Sequence, residues 1–448
     1  MKYLIVAFIV TCLIRIVTSG VLPHLIIEND SEDYYVVGKS IIEHPSIATI
    51  INPLRTPVYP LFVGGVMRIM VDKIPTLGTV EFFQHADLIA LLQMLYGITA
   101  SIAWYFLLAR MGLSKRSALI CYILCAINVS ALIWERKLMS EGVSVSWMLI
   151  QTYLYIEAYH HRKLNNLLLF GGHSCVGFLL RPAFAPIPIL MLLSMVMLSK
   201  RPLWRWVSII FLITCTMMPL AYTKINRIYH NYSGITYFST VNLLGIIMQS
   251  NIPITSGSGY DRLYSHLYTY LSQGNDTYVY RFILAYDRNM FTDNSKLVEM
   301  QGFVGNVIRN NILQYITVSF RAIPHVLFSQ APHAISSDTN IVYVYIFRYL
   351  EILSDYIRMS MIISIPLWIY HAGVLIHRRS SELVPLFILG TIGLSQVIII
   401  AFFAYESDPV YKRLIAPVEY HLVTYLYISF MLCVRTFNNY RRHIKMNT

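Results

Sequence analysis

The chain has 448 residues, of which 56% are hydrophobic and only 13% charged, with a mean hydropathy of +0.55. A water-soluble domain carries roughly twice that charged fraction, so a polytopic membrane protein is expected instead. The net charge of +12 would suit a nucleic-acid surface, but the basic residues cluster in short links between apolar stretches, which excludes that reading.

The N-terminal run "MKYLIVAFIVTCLIRIVTSG" reads as an uncleaved first helix, because Arg15 interrupts its end and no small-x-small cleavage site follows. About ten spans are predicted. They lie near 3–22, 87–109, 117–134, 140–158, 164–181, 184–199, 206–222, 356–376, 383–404 and 415–434. One set of short links carries Arg110, Lys115 and Arg116, then Arg162 and Lys163, then Lys200, Arg201 and Arg205, then Arg378 and Arg379. Lys2 opens the chain, and Arg435, Arg441, Arg442 and Lys445 close it. With these spans, all of those residues share one side. Short cytoplasmic loops are enriched in Lys and Arg, so both termini are expected in the cytoplasm, most simply at a bacterial inner membrane. Two long links, 23–86 and 223–355, then face outward.

The expected fold class is therefore an all-α polytopic membrane protein, with juxtamembrane helices in the first outer loop and a small, mostly helical outer domain. It divides into an N-terminal module (1–222), the outer domain (223–355) and C-terminal helices with a basic tail (356–448). Residues 311–330 are apolar, but Arg321 and Pro324 interrupt them, which predicts an interfacial or re-entrant helix. The six cysteines lie in apolar stretches and read as small buried hydrophobes. Asn231 and Asn275 sit in glycosylation triplets, a pattern common by chance. His85, His325 and His333 lack metal-ligand spacing, and no Walker loop, dinucleotide fingerprint or nucleophile elbow is present.

Directly after the first span, Glu28, Asp30, Glu32 and Asp33 crowd into six residues. Tyr34, Val37, Ile41 and Ile42 then recur at the spacing of one helical face. A helix is expected from about Ser31, with Asp30 as its N-cap and Glu32 and Asp33 in its first turn. Further on, "RTPVYP" places Arg55 at the head of a turn stiffened by Pro57 and Pro60. Arg55 can pair with a nearby acid or bind a phosphate.

A first span, then "DSEDYY", a spacer and "RTPVYP" resembles the outer loop of integral-membrane GT-C glycosyltransferases, such as the protein O-mannosyltransferases and the lipid A aminoarabinose transferases. The resemblance is strongest over residues 1–185. "KLMSEGVSVSW" puts Glu141 at an outer span start, "FLLRPAFAPIP" puts Arg181 at an outer span end, and "YKRLIAPVEYHLV" resembles the run that opens the family's last span. There the chain departs from the pattern. Tyr411, Lys412 and Arg413 precede the run, which leaves open whether Lys412 or Arg413 takes the family's basic position, and Glu419 stands where a second proline is common.

This resemblance implies transfer of a sugar from a polyprenyl phosphate to a glycan, lipid or protein acceptor on the outer face. Asp30 would be the base, with Asp33 its nearest rival and Glu28 and Glu32 further ones. Arg55, Lys412 and Arg413 would hold the donor phosphate. Tyr34, Tyr59, Glu141 and Arg181 would shape the substrate pocket. Family members differ in metal dependence, so a divalent cation stays open. The plainer alternatives are an ion pair from Glu141 to Arg136 or Lys137, and headgroup anchoring by Arg181, Lys412 and Arg413. Rival functions are an O-antigen or capsule polymerase and a flippase or transporter. The latter predicts charged or broken helices at mid-membrane.

Overall fold

The computed structural model describes all residues except 199–200, 251, 255–259, 275–276, 278, 287–293, 329–339, 379–382, 405–407 and 448. Asn275, His333, Lys200 and Arg379 thus lie outside the described residues.

The first half comprises α1 (Lys2–Val21), α2 (Asn29–Glu43), α3 (Ile47–Ile50), α4 (Val58–Met70), α5 (Val80–Arg110), α6 (Lys115–Ala126), α7 (Val129–Trp134), α8 (Ser140–His161), α9 (Leu164–Leu180), α10 (Pro186–Leu198) and α11 (Pro202–His230). The second half comprises α12 (Tyr237–Gln249), α13 (Asp261–Ser272), α14 (Val279–Tyr286), α15 (Asn294–Asn310), α16 (Ile312–Phe328), α17 (Ile341–Met359), α18 (Ser364–Arg378), α19 (Val384–Phe403) and α20 (Asp408–Asn447). Among the described residues, five stretches are long and apolar enough to cross a membrane: Lys2–Val21, Val80–Arg110, Pro202–His230, Ile341–Leu375 and Val384–Phe403. The protein is thus an all-α, membrane-embedded chain. Its outward faces fit lipid contact: Ile5, Phe8, Ile9, Leu13 and Ile16 line the open side of α1.

One expectation needs correction. The stretch predicted as one span over 117–134 is broken into α6 and α7 at Asn128. The Asn128 side chain caps α7 by accepting from the Ala131 amide at 3.0 Å, and its amide donates to the Ala416 carbonyl at 3.0 Å. A residue that satisfies two backbones at once favours a break over a continued helix. Residues 312–328 form one unbroken helix, α16, despite Arg321 and Pro324. It packs on α19 and α20, and the Tyr315 hydroxyl donates to the Phe402 carbonyl. A separate core of Tyr232, Tyr237, Val241, Leu244, Phe282, Phe303 and neighbours joins α12 to α15.

α8 fixes the direction of the bundle. Its 22 residues span about 33 Å at 1.5 Å per residue, the thickness of a bilayer core. Ser140 and Glu141 start it, and Glu157 near its far end binds Arg110 of α5 at 2.8 Å. The basic links at Arg110 and Arg162 therefore lie at the end opposite Glu141.

At the Glu141 end, α2 and α4 form a tight hairpin. A Cβ on Gly38 would stand 2.3 Å from the Pro60 carbonyl oxygen, and one on Gly64 would stand 2.5 Å from the Gly38 carbonyl oxygen. Both obstacles are backbone, so neither can rotate away. Gly64→Ala is expected to force α2 off α4 at a cost of about 1–3 kcal/mol. A thermal unfolding midpoint equal to wild type would show that the hairpin tolerates separation.

Candidate active site

Three tethers bring distant segments to this end. After α1 the chain runs extended beside the link following α7: Ile26 donates to the Arg136 carbonyl and Leu138 to the Ile26 carbonyl, both at 2.9 Å. Arg136 donates to the carbonyls of Leu22, at 2.9 Å, and Pro23. Gln93, fully buried on α5, accepts from the Tyr59 hydroxyl at 2.9 Å and donates to the carbonyls of Glu135 and Lys137 at 3.1 and 3.0 Å.

α2 starts two residues before the predicted Ser31. The Glu28 amide donates to Ser31 Oγ at 2.8 Å, and the Ser31 amide donates back to the Glu28 carbonyl at 2.8 Å. This reciprocal lock makes Glu28 the N-cap and moves Asp30 into the first turn. Ser31 outcompetes Asp30 because its short hydroxyl reaches the Glu28 amide, which leaves both aspartates on the helix. The Glu28 carboxylate binds Lys137, whose ammonium also lies 4.1 Å from the Trp134 ring centroid.

Asp30 and Asp33 converge on one guanidinium. Arg55 Nη2 lies 3.1 Å from Asp30 Oδ1 and 2.8 Å from Asp33 Oδ2. The guanidinium is sandwiched between aromatic faces, 4.5 Å from the Tyr34 centroid and 3.8 Å from that of Phe238 on α12. Burial works against the Arg55 charge, yet Tyr34, Asp30 and Asp33 lift its pKa above the ordinary value, so it stays cationic. Burial raises the Asp33 pKa above the ordinary carboxylate value, and Arg55 beside it recovers only part of that shift. Arg55 Nε is buried and makes no hydrogen bond among the described residues.

A directional hydrogen-bond chain leaves Arg55. Its Nη1 donates weakly to the Tyr34 hydroxyl at 3.5 Å. Tyr34 meets Ser140 Oγ at 2.8 Å, and Ser140 reaches Glu141 Oε2 at 3.4 Å. Arg181 Nη1 closes the chain 3.2 Å from Glu141 Oε1. Glu141 is fully buried, so this partner offsets a desolvation that would otherwise cost several kcal/mol. Tyr59 stands edge-on to Tyr34, with ring centroids 4.9 Å apart. Thr56 Oγ1 donates to the Leu180 carbonyl at 3.3 Å, which ties the "RTPVYP" turn to the end of α9.

Seven of the sequence-predicted residues thus meet: Asp30, Asp33, Tyr34, Arg55, Tyr59, Glu141 and Arg181. Lys412 and Arg413 lie on the opening turns of α20, and their side chains fall outside the described residues. Arg136 and Lys137, the rival partners of Glu141, are engaged with carbonyls and with Glu28 respectively. Sequence reasoning missed Gln93, Ser140 and Phe238, and it offered Lys137 to Glu141 where the fold gives it to Glu28. Gln93 could have been flagged as a lone amide in the apolar run "ALLQML", but nothing marks Phe238 among the aromatics of the outer segment. No group of three or more His, Cys, Asp or Glu gathers for a metal among the described residues. Compared with known families and curated proteins, the chain matches no family model and no curated sequence.

Proposed function

We propose that this chain is a membrane glycosyltransferase, moving a sugar from a polyprenyl-phosphate donor to an acceptor at the outer face with inversion. The observation that carries the reading is Arg55. It holds two carboxylates at a single nitrogen, Nη2, and its Nε keeps an unused donor in a buried setting, where an unmet donor costs about 1–3 kcal/mol. A phosphate oxygen is the acceptor that this chemistry supplies.

Asp30 takes the proton of the acceptor hydroxyl as that oxygen attacks the anomeric carbon. The bond from that carbon to the phosphate oxygen breaks, and the electron pair leaves with the polyprenyl phosphate. Arg55, Lys412 and Arg413 meet the growing negative charge. A phosphate is already a good leaving group, so no general acid is needed. Glu141 and Arg181, locked together, shape the sugar side, and Tyr34 and Tyr59 set the wall between them. The prenyl tail lies on the apolar surface beside the α2–α4 hairpin. In this reading the basic links and both termini are cytoplasmic, and about ten helical segments cross the bilayer.

Mass spectrometry of lipids that co-purify with the protein tests this directly. A polyprenyl-phosphate sugar is expected, depleted in Arg55→Gln. Bulk phospholipid alone, with no transfer from any such donor, would overturn the assignment.

A further inference from the structure

α9 and α11 run in the same direction, because α10 returns the chain between them, and their register can be read from side chains. A Cβ on Gly171 would fall 2.4 Å from the Phe211 ring, so that ring lies flat on the glycine. One turn on, at 175 and 215, both helices place a cysteine. Near the Arg181 end, Phe178 meets Tyr222 edge-on, with centroids 5.8 Å apart. The offset of 40 residues is the same for the glycine–phenylalanine and cysteine pairs, so the thiols face each other by helix geometry. Cys175 is half-buried and Cys215 buried. Cys121 and Cys125 both approach the Thr424 hydroxyl, but they lie one turn apart on a single helix, α6, where a bond would join nothing new.

The geometry points to Cys175 and Cys215 as a redox-closable pair that forms a disulfide between α9 and α11. The step is thiol–disulfide exchange with an external disulfide. One cysteine thiolate attacks the reagent and releases one thiol. The second cysteine then attacks the mixed disulfide and releases the other, and the two protons end on the released thiols. Cys175, the more accessible of the two, is the entry point.

The bond would clamp elements that carry the candidate site. α9 ends at Arg181, which holds Glu141. On α11, the Tyr222 hydroxyl meets both the amide and the carbonyl of Asn52 at 3.1 and 3.0 Å, three residues before Arg55. The inference does not depend on what that site transfers.

The test uses the full-length protein in nanodiscs, treated with the membrane-permeant disulfide dithiodipyridine. N-ethylmaleimide then blocks remaining thiols, and the digest is read by mass spectrometry. A Cys175–Cys215 linked peptide is expected, lost on reduction with a phosphine. The oxidised wild type should unfold about 2 °C or more above the reduced form. Cys175→Ala should show no such difference. Separate pyridyl or maleimide adducts on both cysteines would overturn the pairing. A link with no shift in midpoint would overturn the clamp.

Discussion

Asp30→Asn lowers sugar transfer by about 100-fold or more while the protein still folds, if Asp30 is the base. The substitution is nearly isosteric. An asparagine at this position keeps an oxygen that can accept from Arg55 Nη2, which lies 3.1 Å from Asp30 Oδ1, so the α2 turn should hold. What it loses is the capacity to take a proton. Asp33→Asn is a different experiment. Asp33 makes the shorter contact to Arg55, at 2.8 Å, and burial keeps its pKa above the ordinary carboxylate value. A carboxylate that anchors Arg55 must be ionised to do so. Transfer should therefore rise with pH through the raised Asp33 pKa and level off above it, with its acid limb above the ordinary value of about 3.9. Asp33→Asn should cost about tenfold, one charge-assisted hydrogen bond, and should lose that limb. Initial rates against pH for the wild type and both variants decide the matter. Wild-type rates in Asp30→Asn would remove Asp30 from the mechanism. Abolition by Asp33→Asn alone would place the base there.

Much of this was legible in the sequence, for reasons that are local. The run from Lys2 to Val21 is apolar enough to announce a span, and the spacing of Tyr34, Val37 and Ile41 announces the buried face of α2. Glu141 and Arg181 could be placed at outer span ends from the sequence, but Arg136 and Lys137 were rival partners for Glu141, and only the fold pairs it with Arg181. What was hidden depends on geometry between segments. The start of α2 turned on whether Ser31 or Asp30 reached the capping amide, a contest of about one residue. The break at Asn128 depends on the Ala416 carbonyl, 288 positions away. Phe238 closes over Arg55 because Tyr237 donates to the Pro53 carbonyl at 2.9 Å, a contact that no periodicity encodes. Local patterns report which face is apolar, and only the folded chain reports which polar groups meet.

Arg15 carries the second large effect. In the sequence it merely interrupts the first apolar run. In the fold its Nε and Nη2 grip the two oxygens of Glu135 side-on, at 2.8 and 2.5 Å, with the residues only 5% and 4% exposed. Ser101 accepts from the same Nη2 at 3.4 Å. Such a fork is the geometry in which a buried pair comes nearest to offsetting its own desolvation. Glu135 heads the link that leads to Ser140 and Glu141, and its carbonyl accepts from Gln93. The pair therefore fastens α1 to the segment that carries half of the site. Arg15→Met is expected to destabilise the protein by about 3–5 kcal/mol, because Glu135 would stay buried without its cation. Glu135→Met should cost a similar amount. The double variant Arg15→Met/Glu135→Met should recover most of the loss, since two apolar side chains can fill the space that two charges left. Unfolding midpoints in detergent for all four proteins form a double-mutant cycle. Strong coupling identifies the pair as one unit, and simple additivity would show that each residue acts through other contacts. If the pair is a unit, the double variant should regain stability and also keep the link in place, so its transfer activity should return together with its unfolding midpoint.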